Sequence, residues 1–303
     1  MSVMVTGNFP KGLQIGAQAV TFWGEYNEKD TYYSKIFKSM STDEAYMEDT
    51  LVSGFGIMPA KNESNPISYD SMSQGYTTRY TIQTYGLGFQ ISYEQRKFGK
   101  AMQIMEKGMN HLSRSLKETK EIVAANKFNN GFDSNYTGGD GKELLATDHS
   151  TRAGTFSNEL ATPADFSEAA LEDVLIQIYN ATNDRGIRIG LKPKSLLLPS
   201  ALKFEGQRVV YSDLQSGSAN NDLNAVKELG MLPEGIICNP YLTSDTAWFV
   251  LTDTTEGFKN VSAVDGEFSN DGSFDTADHK YKLMSLFAMG WTDPRCVYGS
   301  AGL

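Results

Sequence analysis

The stretch YTTRYTIQTYGLGFQISY, residues 76 to 93, decides how the rest of the chain is read. Tyr76, Thr78, Tyr80, Ile82 and Thr84 alternate with Thr77, Arg79, Thr81 and Gln83, a period of two that marks an extended strand with two unlike faces. The alternation resumes at Leu87, Phe89, Ile91 and Tyr93 on the opposite parity, so one extra residue is expected near Tyr85 and Gly86, where a bulge would bend the strand. At ~3.3 Å per residue the run spans about 60 Å, far longer than an ordinary strand. Such a strand overhangs its own domain and leaves ladder groups and an apolar face to be covered. Upstream, NPISYD (65–70) is expected as its antiparallel partner and SMSQG (71–75) as the tip, with Pro59 and Pro66 keeping that partner irregular or at an edge.

Directly downstream, Ser92 and Gln95 form an S-x-x-Q capping box, and one helix of roughly 54 Å is predicted from about Tyr93 to the stop signal Asn129-Asn130-Gly131. Phe98, Met102, Met105, Met109, Leu112, Leu116, Thr119 and Val123 recur in steps of three and four and mark one buried stripe. The stripe suits a helix lying on a sheet or a coiled-coil seam. Gly99 and Gly108, at about 1 kcal/mol each in a helix interior, and the poor pairing specificity of methionine favour the sheet. Between Glu94 and Lys127 eight Lys or Arg stand against four Glu. A solvated helix face accounts for that excess; the alternative is a surface, with Lys107, Lys117 and Lys120, that meets a polyanion.

Residues 1–56 are irregular and aromatic-rich, with Phe22, Trp23, Tyr26, Tyr32, Tyr33 and Phe37, and read as an arm that packs on something larger. A second unit opens at Thr162-Pro163, with Leu171, Val174, Leu175 and Ile178 on one helical face. It continues through a strand SLLLP (195–199), a helix around 201–214, a polar loop (215–222) and strands EGIICNP (234–240) and TAWFVLTD (246–253). Strands return with KNVSAVDGEF (259–268), a turn at SNDG (269–272) and HKYKLMSLFAMGW (279–291). Mixed helices and strands in this order define an α+β fold.

With 303 residues and 40% hydrophobic side chains the chain can bury a sizeable core, while a net charge of −10 disfavours sequence-specific nucleic-acid binding and anionic membranes. Cys238 and Cys296 are too few and too far apart for a disulfide scaffold or a zinc site. No leader pattern and no apolar run of ~20 residues appears, so folding in a cytoplasm is expected.

GDGKELLATDHS (139–150) sets Asp148, His149 and Ser150 in a row, but neighbours on a strand point to opposite faces and cannot form a triad among themselves. A phosphate loop fails at Tyr136 and Glu143, a calcium loop from Asp133 ends on Leu144, and GLGF (86–89) lacks a dinucleotide-binding context. No catalytic residue, cofactor or metal ligand is assigned. His149 is expected to share a strand face with Leu145 and Thr147 and to hydrogen-bond one backbone carbonyl, with no activating partner within sequence reach. A hydrolase built on His149 with distant partners is the minority reading.

The order of elements and two short motifs resemble the major capsid proteins of tailed bacteriophages. Asp140-Gly141-Lys142, Leu144, Leu145 and His149 are similar to the turn and strand that follow the long helix in the Mu-like major head subunit group. Gly290-Trp291 and Asp293-Pro294-Arg295 are similar to that group's ending. The resemblance implies an arm (1–56), an extended loop (57–92), a peripheral domain with a spine helix (93–160), an axial domain (161–257) and return strands with the C-terminus (258–303). It implies a subunit that assembles into hexamers and pentamers of an icosahedral or prolate shell around double-stranded DNA. Portal, scaffold and decoration proteins are the implied partners, scaffolding being supplied in trans or removed before Met1. The implied location is the virion, after synthesis in a bacterial host. On this reading Tyr69, Tyr76, Tyr80 and Ile82 make contacts between copies, and Lys107, Lys117 and Lys120 face DNA. A cargo-enclosing nanocompartment shell of the same fold is the alternative.

Overall fold

The long alternating run is shared between two sheets. This is seen in a computed structural model that describes residues 31 to 99, 101 to 214 and 223 to 303. From the N-terminal side the chain forms helix α1 (Tyr33–Ile36), then strands β1 (Lys38–Ser41), β2 (Tyr46–Ser53), β3 (Ser73–Thr81) and β4 (Gln83–Ile91). Helices α2 (Tyr93–Phe98) and α3 (Ala101–Asn129) and the short strands β5 (His149–Thr151) and β6 (Gly154–Phe156) follow. The second unit contains α4 (Glu168–Tyr179), β7 (Pro193–Leu198), α5 (Lys203–Tyr211), α6 (Ala225–Glu228), β8 (Ile236–Cys238) and β9 (Trp248–Thr252). The chain ends with β10 (Phe258–Gly272), β11 (His279–Trp291) and β12 (Val297–Ser300).

β4 lies along β11 at the edge of the sheet β1-β10-β11-β4, whereas β3 pairs with β2 in a separate two-stranded ribbon. The switch falls at Ile82, whose N–H donates to the carbonyl of Ala45 at 3.0 Å. The expected change of parity is present: Tyr80 is buried with Tyr76 and Thr78 half-buried on one side of the switch, and Tyr85, Phe89 and Ile91 turn inward on the other. Its position is Ile82, not Tyr85-Gly86. The expected partner strand also needs correction, because residues 54–72 form no strand and Tyr46–Ser53, placed in the arm by sequence, supplies the ladder. Pro66 removes a ladder donor from the first candidate and Pro59 another from the chain just before it, whereas Thr50, Leu51 and Val52 suit a pleated ribbon.

Ser92 caps α2 as expected, its hydroxyl accepting from the Gln95 N–H at 3.3 Å. The single long helix is nevertheless two, because the chain turns extended at Gly99 before α3 begins. Along α3 the buried positions run through Met109, Leu112, Leu116, Lys120, Ala124 and Phe128, while Thr119 and Val123 are only half-buried. A stripe of period 3.5 drifts about 20° per heptad on a straight helix. The buried face therefore moves off the predicted line, and α3 lies against β11 and β4. Gly108 permits this approach, since a Cβ there would stand 2.5 Å from the ring of Phe89, which stacks on Tyr281 with centroids 4.9 Å apart.

The second sheet, in order β12-β9-β7-β8, is covered on both faces. Leu197, Phe249 and Leu251 face a core shared with Phe37, Phe128, Phe258 and Phe287, and Leu196, Leu198, Trp248 and Val250 face one built on α4. Double coverage explains why every residue of β9 is buried. Leu171, Val174, Leu175 and Ile178 of α4 are all buried, as their spacing requires. One expectation about the C-terminal strands is corrected. β10 runs through Gly272, so the turn is Ser273 to Asp278, closed by a 2.8 Å bond from the Ser273 N–H. β12 joins the second sheet beside β9 and does not return to the first. Phe22, Trp23, Tyr26 and the loop 215–222 lie outside the described residues.

Alanine ordinarily stabilises a helix by about 1 kcal/mol over glycine. Gly108→Ala is expected to reverse that sign, costing about 1–2 kcal/mol through the clash with Phe89, read as a lower urea midpoint. A higher midpoint would show that the ring yields at no cost.

Candidate assembly surface

Residues 54–72 carry Phe55, Ile57, Met58, Ile67, Tyr69 and Met72 in the open, with Met58 93% and Tyr69 94% exposed. A contiguous apolar set of this kind, uncovered by its own chain, marks an interaction surface. Both limbs are tied where they leave the ribbon. The Asp70 carboxylate accepts from the N–H groups of Gly56 and Ser71 at 2.8 Å each and pairs with Arg185 at 2.6 Å. Those two backbone N–H groups first, and then Arg185, hold the Asp70 carboxyl below its usual range. Arg185 also donates to the Ser71 carbonyl at 2.5 Å, and Arg152 to the Ser73 hydroxyl at 3.3 Å.

The ribbon itself is rooted in a buried run of polar groups. The Tyr80 hydroxyl lies 2.7 Å from that of Thr292, Thr292 donates to Asp49, and Lys259 pairs with Asp49 and, at 2.5 Å, with Glu256. Burial alone would raise the Asp49 carboxyl, but hydrogen bonds from Lys259 and Thr292 and the charge of Lys259 outweigh it and hold the group low. Burial pushes the Tyr80 hydroxyl well up. Gly290 makes room: a Cβ there would sit 3.0 Å from the Tyr80 ring. Tyr80 is thus spent on its own chain, a correction to its expected role between copies. Tyr76 is half-buried with its hydroxyl enclosed, and Ile82 is half-buried at the switch. Of the four expected contact residues only Tyr69 is exposed, because alternation turns 76, 78 and 80 toward the body.

His149 is fully buried, and its partners are side chains instead of the single carbonyl expected from sequence. Nδ1 meets the Asp140 carboxylate at 2.6 Å, nine residues away in the preceding turn. The amide of Asn158 is oriented by backbone: its Oδ1 accepts from the Ala146 N–H at 3.0 Å, and its Nδ2 donates to the carbonyls of Leu144, Pro294 and Val297 at 2.8, 2.9 and 3.1 Å. The His149 Nε2–H therefore donates to Oδ1, at 3.1 Å, and both ring nitrogens are engaged. The imidazole stacks on Phe156, whose ring also lies 4.2 Å from the Arg295 guanidinium; Arg295 in turn pairs with Asp293 and Asp184 at 3.2 Å each. The two motifs singled out in the sequence thus meet around Asn158 and Phe156. Asp148 points away to Lys142 at 2.5 Å. This arrangement clamps a turn, a strand and the C-terminal segment together.

The lysine trio divides. Lys107 is exposed, but Lys117 is buried, and Lys120 is enclosed with its ammonium against Asp265 and 5.6 Å from the centre of the Phe287 ring. The expected DNA-facing role is corrected for these two, since the drift of the buried stripe carries them into the body. Among the described residues there is no cluster of three or more His, Cys, Asp or Glu able to hold a metal, and no helix is long and apolar enough to cross a membrane.

A family model described as phage capsid protein matches residues 75–300. The chain belongs to that family. This capsid protein is a structural, shell-building subunit with its place in the virion. Its fold is similar to that of a virus-like particle from Pyrococcus furiosus (TM-score 0.56, 12% identity, 93% of this chain and 97% of that one). It is similar as well to the capsid of the native GTA particle (0.55, 9%, 89% and 90%) and to the mature capsid of bacteriophage PhiM1 (0.54, 11%, 89% and 86%). No curated protein matches. Sequence reasoning missed Asp49 and Thr292, whose partners are distant in the chain, and Asn158, which lies nine residues from His149 and also binds the C-terminal segment. Asp140, in the same quoted stretch as His149, was within reach of it.

Exchanging His149 for glutamine leaves the buried Asp140 carboxylate short of a donor. His149→Gln is expected to cost about 2–4 kcal/mol in denaturant unfolding. A loss below about 1 kcal/mol would show that the Asp140 contact adds nothing.

Proposed function

We propose that this capsid protein forms hexamers and pentamers that close into an icosahedral or prolate shell around double-stranded DNA, with residues 54–72 of each copy laid across a neighbour. The observation that carries the reading is the uncovered apolar loop, held at its root by Asp70 and Arg185 and by the Tyr80 relay. On this reading residues 93–160 with β10 and β11 make the peripheral domain, and 161–257 with β12 the axial domain. Portal, scaffold and decoration proteins are its partners, synthesis takes place in a bacterial cytoplasm, and the subunit works without catalysis. Contact with DNA is weak and sequence-independent, in keeping with a net charge of −10 and with burial of Lys117 and Lys120.

A second reading is a cargo-enclosing shell of the same fold, since a virus-like particle is among the structures it resembles. Shells that carry DNA and a portal support the first, and shells filled with a companion protein support the second.

Replacing residues 55–71 by a short Gly-Ser turn removes the apolar surface and spares the ribbon ladder. The variant is expected to stay soluble and folded but to form no closed shells by electron microscopy. Normal shells would overturn the role given to the loop.

A further inference from the structure

β3, the last turns of α3, the turn at 136–139 and the end of β11 enclose a half-open groove of about 680 Å³, within the size range of sites that accept a small ligand or a few side chains. One wall is aromatic and apolar, with Tyr85, Phe287, Met289 and Trp291; no carboxylate lines it. Lys127 lines the groove, half-buried and with no hydrogen bond or ion pair among the described residues. Burial pushes its ammonium group down from the usual range. Its place in the last turn of α3 suits a cation, yet a charge drawn out of water without a partner calls for an anion.

The loop offers one. Its tip is a tight turn in which the Asn65 N–H donates to the Asn62 carbonyl at 3.2 Å, with Ser64 at φ 64°, a left-handed conformation ordinarily left to glycine or asparagine. That strained turn sets Glu63 at the apex, exposed and without a partner among the described residues. The other carboxylate of residues 54–72, Asp70, is already held by Arg185. From Ser53, the last ladder residue, the chain reaches at most about 35 Å to Glu63, far enough to cross onto an adjoining subunit.

We propose that Glu63 of one copy enters this groove on an adjacent copy and pairs with Lys127, while Met58 and Ile67 beside it pack on Tyr85, the half-buried ring of that wall. The inference rests on the reading that the loop crosses between copies and names the seat it takes there. The pair is charge-assisted and partly dry, so it sets the register of neighbouring subunits as well as holding them.

Charge reversal in the full-length protein tests it. Glu63→Lys and Lys127→Glu, each confirmed as folded by circular dichroism, are expected to lower the yield of closed shells roughly tenfold or more, because each brings like charges together. The double variant should recover most of that loss. Singles that assemble like the parent, or a double variant no better than the worse single, would overturn the pairing. Should Lys127→Glu fail to fold, Lys127→Gln combined with Glu63→Gln takes its place, and the two neutralisations must then be non-additive. If the loop replacement still closes shells, the broader reading falls too; if it does not while the single variants assemble normally, only the pairing falls.

Discussion

The ribbon of β2 and β3 leaves the body of the subunit at one buried relay, Tyr80 to Thr292 to Asp49 to Lys259, and the geometry of everything beyond depends on it. Asp49 and Lys259 are enclosed, with side chains 20% and 4% exposed, so removing one partner would strand a charge in a dry setting. The outer tie from Asp70 to Arg185 is more open, with Asp70 45% exposed, and water screens much of its strength. The root is therefore stiff and the second tie yielding. That gradient suits a loop that must leave its own domain in a defined direction and still adapt where it meets a neighbour.

A second buried centre begins one residue further along the chain than Thr292, at Asp293. Asn158 takes up backbone groups from two segments, Leu144 to Ala146 and Pro294 to Val297, and offers its remaining acceptor capacity to His149. Burial raises the Asp293 carboxyl, with Arg295 pulling it back, so the C-terminal motif contains a charge cluster that depends on its partners. A histidine flanked by an aspartate looks catalytic on paper. Here the same atoms are used to join the turn after α3 to the final strand.

Legibility in the sequence followed the range of the interactions. Alternation in 76–91 gave the change of parity, with Tyr76, Thr78 and Tyr80 inward on one side and Phe89 and Ile91 on the other although Thr84 and Leu87 stay exposed; the Ser92 cap and the Asn129 stop bounded the helical region, and the face of α4 was right residue by residue. These are local patterns whose period is set by one element. The partner of β3 was not legible, because alternation fixes which side chains face inward and says nothing of which strand lies alongside. Nor was the burial of Lys120, which depends on a small angular drift accumulated over several turns and on Asp265 from a distant strand. Tyr80 was misassigned for a related reason: its aromatic ring suits an interface as well as it suits the slot left by Gly290.

The central claim is that the apolar loop at 54–72 is covered by another copy. Amide hydrogen exchange across these residues, compared between closed shells and dissociated subunits, tests it most directly. The account predicts exchange slowed by about tenfold or more in shells, with β9 equally protected in both states. Equal exchange of the loop in shells and free subunits would contradict it.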